Sequence, residues 1–464
     1  MPPTAPIRPD DARYDELAAG FNLAIPHRPA HIVEATSTED VVDAVRLAAD
    51  HDLPVAVMNT GHGPSRTADG AVLIRVGPLD RVTVDPAERT AVLEGGASWG
   101  DVLAATTPHG LAPLNGSSPH VGAVGYTLGG GVGHLGRRFG FAADHVRWLD
   151  VVTADGEHRR VDPGADADLF WAMRGAGANF GIVTAMAIDL VPVATLYGGE
   201  LGFTADASDD VLHTYVDWAA AVPETVASSI LLLRYPDDPA VPDDLRGRHI
   251  THLRVASSGD PADGPALVEP FRRLGGCVVD TVRTMPYAEV GTIHHEPVDV
   301  PVPAFDRNVL LARVDHDAAT TVAEHAGASG DAAYLVELRA WGGALSRPPA
   351  VANAVGGRDA AFSLVAISDP DPANRAQRDR FLDAMAPWGT GTSCLNFAGV
   401  EDAAPGRVDR LYAPDTLARL RALKARHDPA NRFRVNFNLA DRAPTDGTGT
   451  SASTSTSTST STTS

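Results

Sequence analysis

Residues 54–63 read PVAVMNTGHG, a β-branched run that ends in the polar, glycine-rich turn Asn59-Thr60-Gly61-His62-Gly63. The pattern predicts a strand over 54–58 that delivers a histidine at its tip. Upstream, HIVEA (31–35) reads as a strand and STEDVVDAVRLAADHD (37–52) as an amphipathic helix. Ser37 or Thr38 supplies the N-cap of that helix, and Glu39 and Asp40 lie in its first turn. Downstream, strands are predicted at 71–76, 81–85 and 89–95, with a helix near 101–108. Strand–helix alternation mixed with short β-runs specifies an α+β fold rather than a doubly wound sheet.

A second, longer glycine-rich tract, NGSSPHVGAVGYTLGGGVG, occupies 115–133. Glycines let a backbone approach a ligand closely and present N–H groups to phosphate. Lys424, in LARLRALKARHDP, is the only lysine of the chain. A PLP Schiff base, a lysine-dependent aldolase and a phosphate-cradling GK[ST] loop are therefore disfavoured. Two glycine loops without a lysine suggest a pyrophosphate held by backbone amides, with His62 near the ligand's reactive end. Taken alone, His62 reads more readily as a turn or hydrogen-bonding residue than as a covalent attachment site.

The chain has 464 residues, 44% of them hydrophobic and 6% aromatic, enough for two or three domains. Its formal charge of −21 argues against nucleic acid or an anionic membrane as partner. Cys277 and Cys394, the only cysteines, cannot build a disulfide framework or a Cys-based zinc site. The N-terminus is polar and proline-rich, unlike a Sec signal, and no run of about eighteen apolar residues occurs, so a cytoplasmic protein is expected. Glycine density falls after Pro192, where helices and alternating strands continue to about residue 400. The end of the chain is a Ser/Thr repeat, expected to be disordered.

Three shorter motifs carry competing chemistries. Gly131-Val132-Gly133-His134-Leu135-Gly136 is a literal GxGxxG, but neither flank supplies the strand and helix that a dinucleotide turn needs. Gly96-Ala97-Ser98-Trp99-Gly100 is a literal GxSxG between a strand and a helix; Ser98 reads better as a helix N-cap than as a hydrolase nucleophile. His294-His295-Glu296 lacks metal-ligand spacing and reads as a solvated loop, and no metal is expected.

Five ordered blocks over residues 28–195 closely resemble the FAD-binding domain of berberine-bridge-enzyme-like oxidases, within the vanillyl-alcohol-oxidase/PCMH flavoprotein superfamily. They are VAVMNTGHG, AVLEGGASWGDV, VGAVGYTLGGGVGHLGRRFG, ADHVRWLDVVTADGE and DADLFWAMRGAGANFGIVT. Thinner similarity continues through ELRAWGGALSRPP (337–349), CLNF (394–397) and LKARHDPANRFRVNFN (423–438). The resemblance implies a lead-in (1–27), a PCMH-type two-subdomain FAD module (28–195), a substrate domain with an antiparallel sheet flanked by helices (196–404), a segment completing the FAD module (405–442) and the tail (443–464).

It further implies FAD bonded through His62 to the flavin 8α-methyl group. Cofactor contacts are implied for Asn59, Thr60, Gly61, Gly63, Ser117, Ser118, Gly122, Thr127, Gly130, Gly131, Gly133, Val183, Asn436 and Asn438. Relatives often add a second bond from a cysteine where this chain has Ser118, so the attachment is expected to be monocovalent. A Tyr-x-Asn element near the flavin is replaced by Cys394-Leu395-Asn396. Cys394 then reads either as a base of lowered pKa or as a space-filling residue. Candidate catalytic residues are Cys394, Asn396, Tyr126 and Tyr287, with His134 and Glu337 as further proton acceptors. The implied reaction removes a proton from an alcohol, amine or phenolic small molecule while hydride passes to flavin N5, and O2 reoxidises the flavin. A dehydrogenase using another acceptor and, more distantly, a serine hydrolase built on Ser98 are the alternatives. The sequence sets no oligomeric state.

Overall fold

The helix predicted after the first strand forms at Thr38–Asp50, and its start shows why. The Ser37 hydroxyl accepts from Asp40 N, while the Asp40 carboxylate accepts from Ser37 N, closing a capping box. Val41, Ala44, Val45 and Ala48 then fall on one face and are buried. That face covers a parallel three-stranded sheet of β1 (His31–Glu34), β2 (Val55–Met58) and β3 (Val72–Arg75), in the order β1-β3-β2. In the computed structural model, residues 5–239, 241–243, 245–296, 300–328 and 335–440 are described, so the Ser/Thr tail lies outside them.

A second, antiparallel sheet is formed by β4 (Val82–Asp85), β5 (Thr90–Glu94), β6 (Val146–Val152), β7 (His158–Val161) and β8 (Ile182–Asp189), in the order β4-β5-β8-β6-β7. Helix Trp99–Thr106 begins earlier than the predicted 101–108, because Ser98 and Asp101 close a second capping box. Ser98 thus serves as a helix cap.

The third sheet is antiparallel and has eight strands: β9 (Thr195–Thr204), β10 (Val226–Arg234), β11 (His249–Ser257), β12 (Cys277–Asp280), β13 (Arg283–Pro286), β14 (Phe305–Leu311), β15 (Leu335–Ala340) and β16 (Phe362–Ser368). Its order is β12-β9-β11-β10-β15-β16-β14, with β13 also paired to β9. The period of two gives it unlike faces. Ile230, Leu232, Leu253, Val255, Val336, Leu338, Leu364 and Ala366 pack under helices Ser208–Ala221, His316–Ala326 and Pro372–Ala384. The alternate positions carry Ser229, His252, Arg254, Glu337 and Arg339, which turn toward the first two sheets; an Arg339 guanidinium N–H donates to Val132 O at 3.2 Å. Among the described residues, no helix is long and apolar enough to cross a membrane.

The chain end returns to the N-terminal sheets. Val55 N donates to Arg432 O at 2.9 Å, and helix Pro414–His427 packs on helix Ala167–Ala176. Lys424 fixes this return: its buried ammonium donates to Asn179 O (2.7 Å), Phe433 O (2.9 Å) and Asp428 Oδ2 (2.7 Å). Asp428 also accepts from Arg432 N and Phe433 N. Lys424→Ala leaves a buried carboxylate without its cation, and we expect a loss of about 3 kcal/mol in denaturant unfolding.

Candidate cofactor and active site

A cleft of about 390 Å³ opens where the first two sheets meet the polar face of the third. Its walls are residues 56–66, parts of 116–132, residues 176–179, 395–398 and 435–437, with Asp306 and Arg339 from the third sheet.

His62 lines the cleft at the tip of β2, as the sequence predicts. Its Nδ1 lies 2.7 Å from the Thr60 hydroxyl, and its ring stacks on Phe21 with centroids 4.0 Å apart and planes 11° from parallel. Burial pulls the imidazole pKa below its ordinary value, so the ring is neutral at physiological pH. The turn is held against the lead-in segment: Phe21 N donates to Thr60 O and Asn22 N to Gly61 O. Gly61 has φ +76°, and a Cβ there would sit 2.6 Å from Gly20 Cα. Asn59 Nδ2 donates to Gly96 O at 2.8 Å and lies against Gly122, tying the turn to both neighbouring glycine segments. Gly63 faces open space.

The second glycine tract is organised around Tyr126. Its ring fills the gap between Gly116 and Gly131, where added Cβ atoms would approach it to 2.8 and 2.5 Å. Asn396 holds the following turn: Nδ2 donates to Tyr126 O and Oδ1 accepts from Gly131 N, both at 2.8 Å. Asn396 lines the cleft, yet both ends of its amide are committed to backbone, which makes it a positioning residue. Ser117, Ser118 and Gly122 also line the cleft. Thr127 is buried and bonds Ala123 O of its own helix, and Gly130 and Gly133 lie behind the lining. Val183 is buried within β8, paired with Val151. Asn438 is buried and accepts from Ala440 N.

The lining suits a large polar ligand. Tyr126 Oη, Asp306 Oδ1 and Asn436 Oδ1 are shielded from solvent and have no hydrogen-bond partner, a costly state that a ligand with matching donors and acceptors relieves. Backbone that approaches from two glycine tracts and a neutral histidine in the wall fit a flavin with its pyrophosphate.

Two catalytic expectations are corrected. Cys394 does not line the cleft: it packs with Val132, Phe141, Leu310 and Trp341, and burial pushes its thiol up to about 11. A thiol so placed stays protonated and fills space. Tyr287 is also outside the lining; its buried hydroxyl donates to Asn115 Oδ1 at 2.7 Å. Burial raises the Tyr126 phenol as well, so it acts as a donor rather than a base.

His294 is buried rather than in a solvated loop. It joins His134 (Nε2–Nδ1, 3.1 Å) and approaches Glu337 to 3.5 Å. Glu337 accepts from Ser229 Oγ and from Arg339, the residue that reaches the cleft. Among the charged lining residues, sequence reading missed Arg66, Asp306 and Arg339. The available signal was a charge at alternate positions of an otherwise apolar strand, as in LVELRA.

Asn396→Ala removes two partly buried hydrogen bonds, and we expect about 2 kcal/mol of lost stability together with a lower flavin-to-protein absorbance ratio. Cys394→Ala is expected to leave the pH–rate profile in place.

Comparison with known proteins agrees with this geometry. Residues 29–162 match the FAD binding domain family. The (R)-6-hydroxynicotine oxidase of Paenarthrobacter nicotinovorans is 28% identical, over 93% of this chain and 96% of the relative. Among solved structures, chitooligosaccharide oxidase superposes with a TM-score of 0.81 at 20% identity, over 95% of this chain and 97% of that one. Physcomitrella patens BBE-like 1 does so with a TM-score of 0.78 at 18% identity, over 94% and 96%. The chain thus carries an FAD binding domain over residues 29–162, is an FAD-binding oxidoreductase, and shares the fold of chitooligosaccharide oxidase and BBE-like 1.

Proposed function

We propose that the chain is an oxidase that holds FAD through a single covalent bond from His62 and oxidises an alcohol, amine or phenolic small molecule, with O2 as acceptor. The observation that carries this reading is the setting of His62: a neutral imidazole in the cleft wall, fixed on one side by Thr60 and on one face by Phe21. A neutral imidazole keeps a nitrogen lone pair with which to form a bond, and these two contacts hold the ring in one plane. Ser118 stands where relatives place a second, cysteinyl attachment, so His62 is the sole link.

Bound FAD supplies the hydride acceptor at N5 and the route for electrons to O2. The chain's own residues do the rest. The turn 59–63 and the stretch 116–122 line the cleft where the cofactor would sit, and Asn396, by bonding Tyr126 O and Gly131 N, fixes the turn behind that lining. Tyr126 Oη offers a hydrogen bond, and Glu337 holds the Arg339 guanidinium at the cleft wall. The lead-in around Phe21 covers His62 and limits access of water. Oxidases among the relatives support O2 as acceptor. A cytoplasmic enzyme that tailors a secondary metabolite is the setting we infer.

Acid precipitation tests the attachment. The wild-type pellet is expected to stay yellow, His62→Ala to release its flavin into the supernatant, and Ser118→Ala to retain it. Free flavin from wild type contradicts the proposal. Slow reoxidation of the reduced enzyme in air would favour the dehydrogenase alternative.

A further inference from the structure

Asp306 stands apart from every other charged group that lines the cleft. On β14, Val309 and Leu311 pack into the cluster under the helices. The alternate residues face the other way: Asn308 bonds the backbone of Cys394, and Leu310 packs with Val132 and Phe141. Asp306 shares the face of Asn308 and Leu310 and lines the cleft. Its Oδ1 is shielded from water and accepts no hydrogen bond.

The arginines of the same lining are engaged. Arg339 donates to Glu337 and Val132 O, and Arg66 to Asn436 O and Ala403 O. Two charged groups reach Asp306 from the elements around it, and both are committed elsewhere. Arg378, on helix Pro372–Ala384, bonds Phe305 O and pairs with Asp379 and Glu401. Asp402, on the turn Val400–Ala403, accepts from Gly399 N and is itself an acid. Burial accordingly raises the Asp306 carboxyl to about 6, which still leaves it ionised at physiological pH.

A half-buried carboxylate with one shielded oxygen that accepts no hydrogen bond is incompletely solvated, and a ligand that brings positive charge and an N–H donor to its cleft-facing side compensates the charge. A neutral alcohol supplies the donor but leaves the charge uncompensated. The chain's net charge of −21 also draws cations toward it.

Resting on the reading of the cleft as a flavin site, we propose that Asp306 is the specificity-determining carboxylate of the cleft and binds the protonated nitrogen of an amine substrate.

The test uses the flavin-loaded enzyme and matched probes, benzylamine with benzyl alcohol and pyrrolidine with tetrahydrofuran, and reads binding from the perturbed flavin absorbance. At pH 8 the amine of each pair should bind at least about tenfold more tightly, and Asp306→Asn should abolish that preference. In wild type the preference should fall by about tenfold per pH unit below about pH 6, as the carboxyl is protonated. Equal binding within each pair, a preference that survives Asp306→Asn, or no flavin perturbation by either amine overturns the assignment.

A second measurement needs no ligand. The carboxyl takes up its proton more readily in the folded chain than at the ordinary value of 3.8, so its ionisation destabilises the fold as pH rises through the folded value. Asp306→Asn should therefore be more stable than wild type above about pH 6, with the gap closing toward pH 4. A variant less stable at every pH assigns Asp306 a structural role and overturns the proposal; if the variant does not fold, the wild-type pH series decides. A colourless protein would instead refute the flavin reading itself.

Discussion

Contact between backbones sets the shape of this molecule's cleft. A Cβ on Gly133 would lie 1.8 Å from Asn115 O, so the two ends of the second glycine tract touch main chain to main chain. Tyr126 can then be gripped between Gly116 and Gly131, and Asn396 can reach both Tyr126 O and Gly131 N. Side chains at these glycines would force the loops apart and leave the Asn396 amide with its donor and acceptor unmet, at a cost of a few kcal/mol. The shape of the cleft thus follows from residues that have no side chain.

The third sheet depends on that arrangement through its unlike faces. One face is held by apolar residues under three helices and needs nothing from the N-terminal sheets. The other carries the buried Glu337 and the partly buried Arg254 and Arg339, which are tolerable because they pair with one another and with backbone supplied from across the boundary. The lead-in segment joins the two halves at the other end. Phe21 stacks on His62, while Asn22 bonds both N–H and C=O of Ala304, two residues before Asp306. His62 and the segment that carries Asp306 are thereby held by neighbouring residues of one short strap.

Local chemistry was legible in the sequence wherever it decided the structure. The Ser37 cap, the β2 strand and its glycine turn, and the alternation of the third-sheet strands follow from residues close in the chain. His62 sits at the cleft because its turn belongs to such a local unit. Cys394 was ambiguous because a thiol's role depends on its surroundings, here an apolar cluster drawn from three distant segments. Lys424, read as part of a charged helix, is buried because the carbonyls of Asn179 and Phe433 converge on it, a meeting no local pattern announces. Asp306 was missed for the same reason: its significance is the lack of a partner, which only the assembled neighbours reveal.

The central claim is that the cleft holds a flavin tethered at one residue, and mass spectrometry of the denatured protein with peptide mapping tests it most directly. The account predicts that intact wild-type protein carries the mass of one FAD, and that after digestion the modification is found on the peptide containing His62 alone. An unmodified wild-type mass with flavin released on denaturation, or a modification mapped to the peptide containing Ser118, would contradict it.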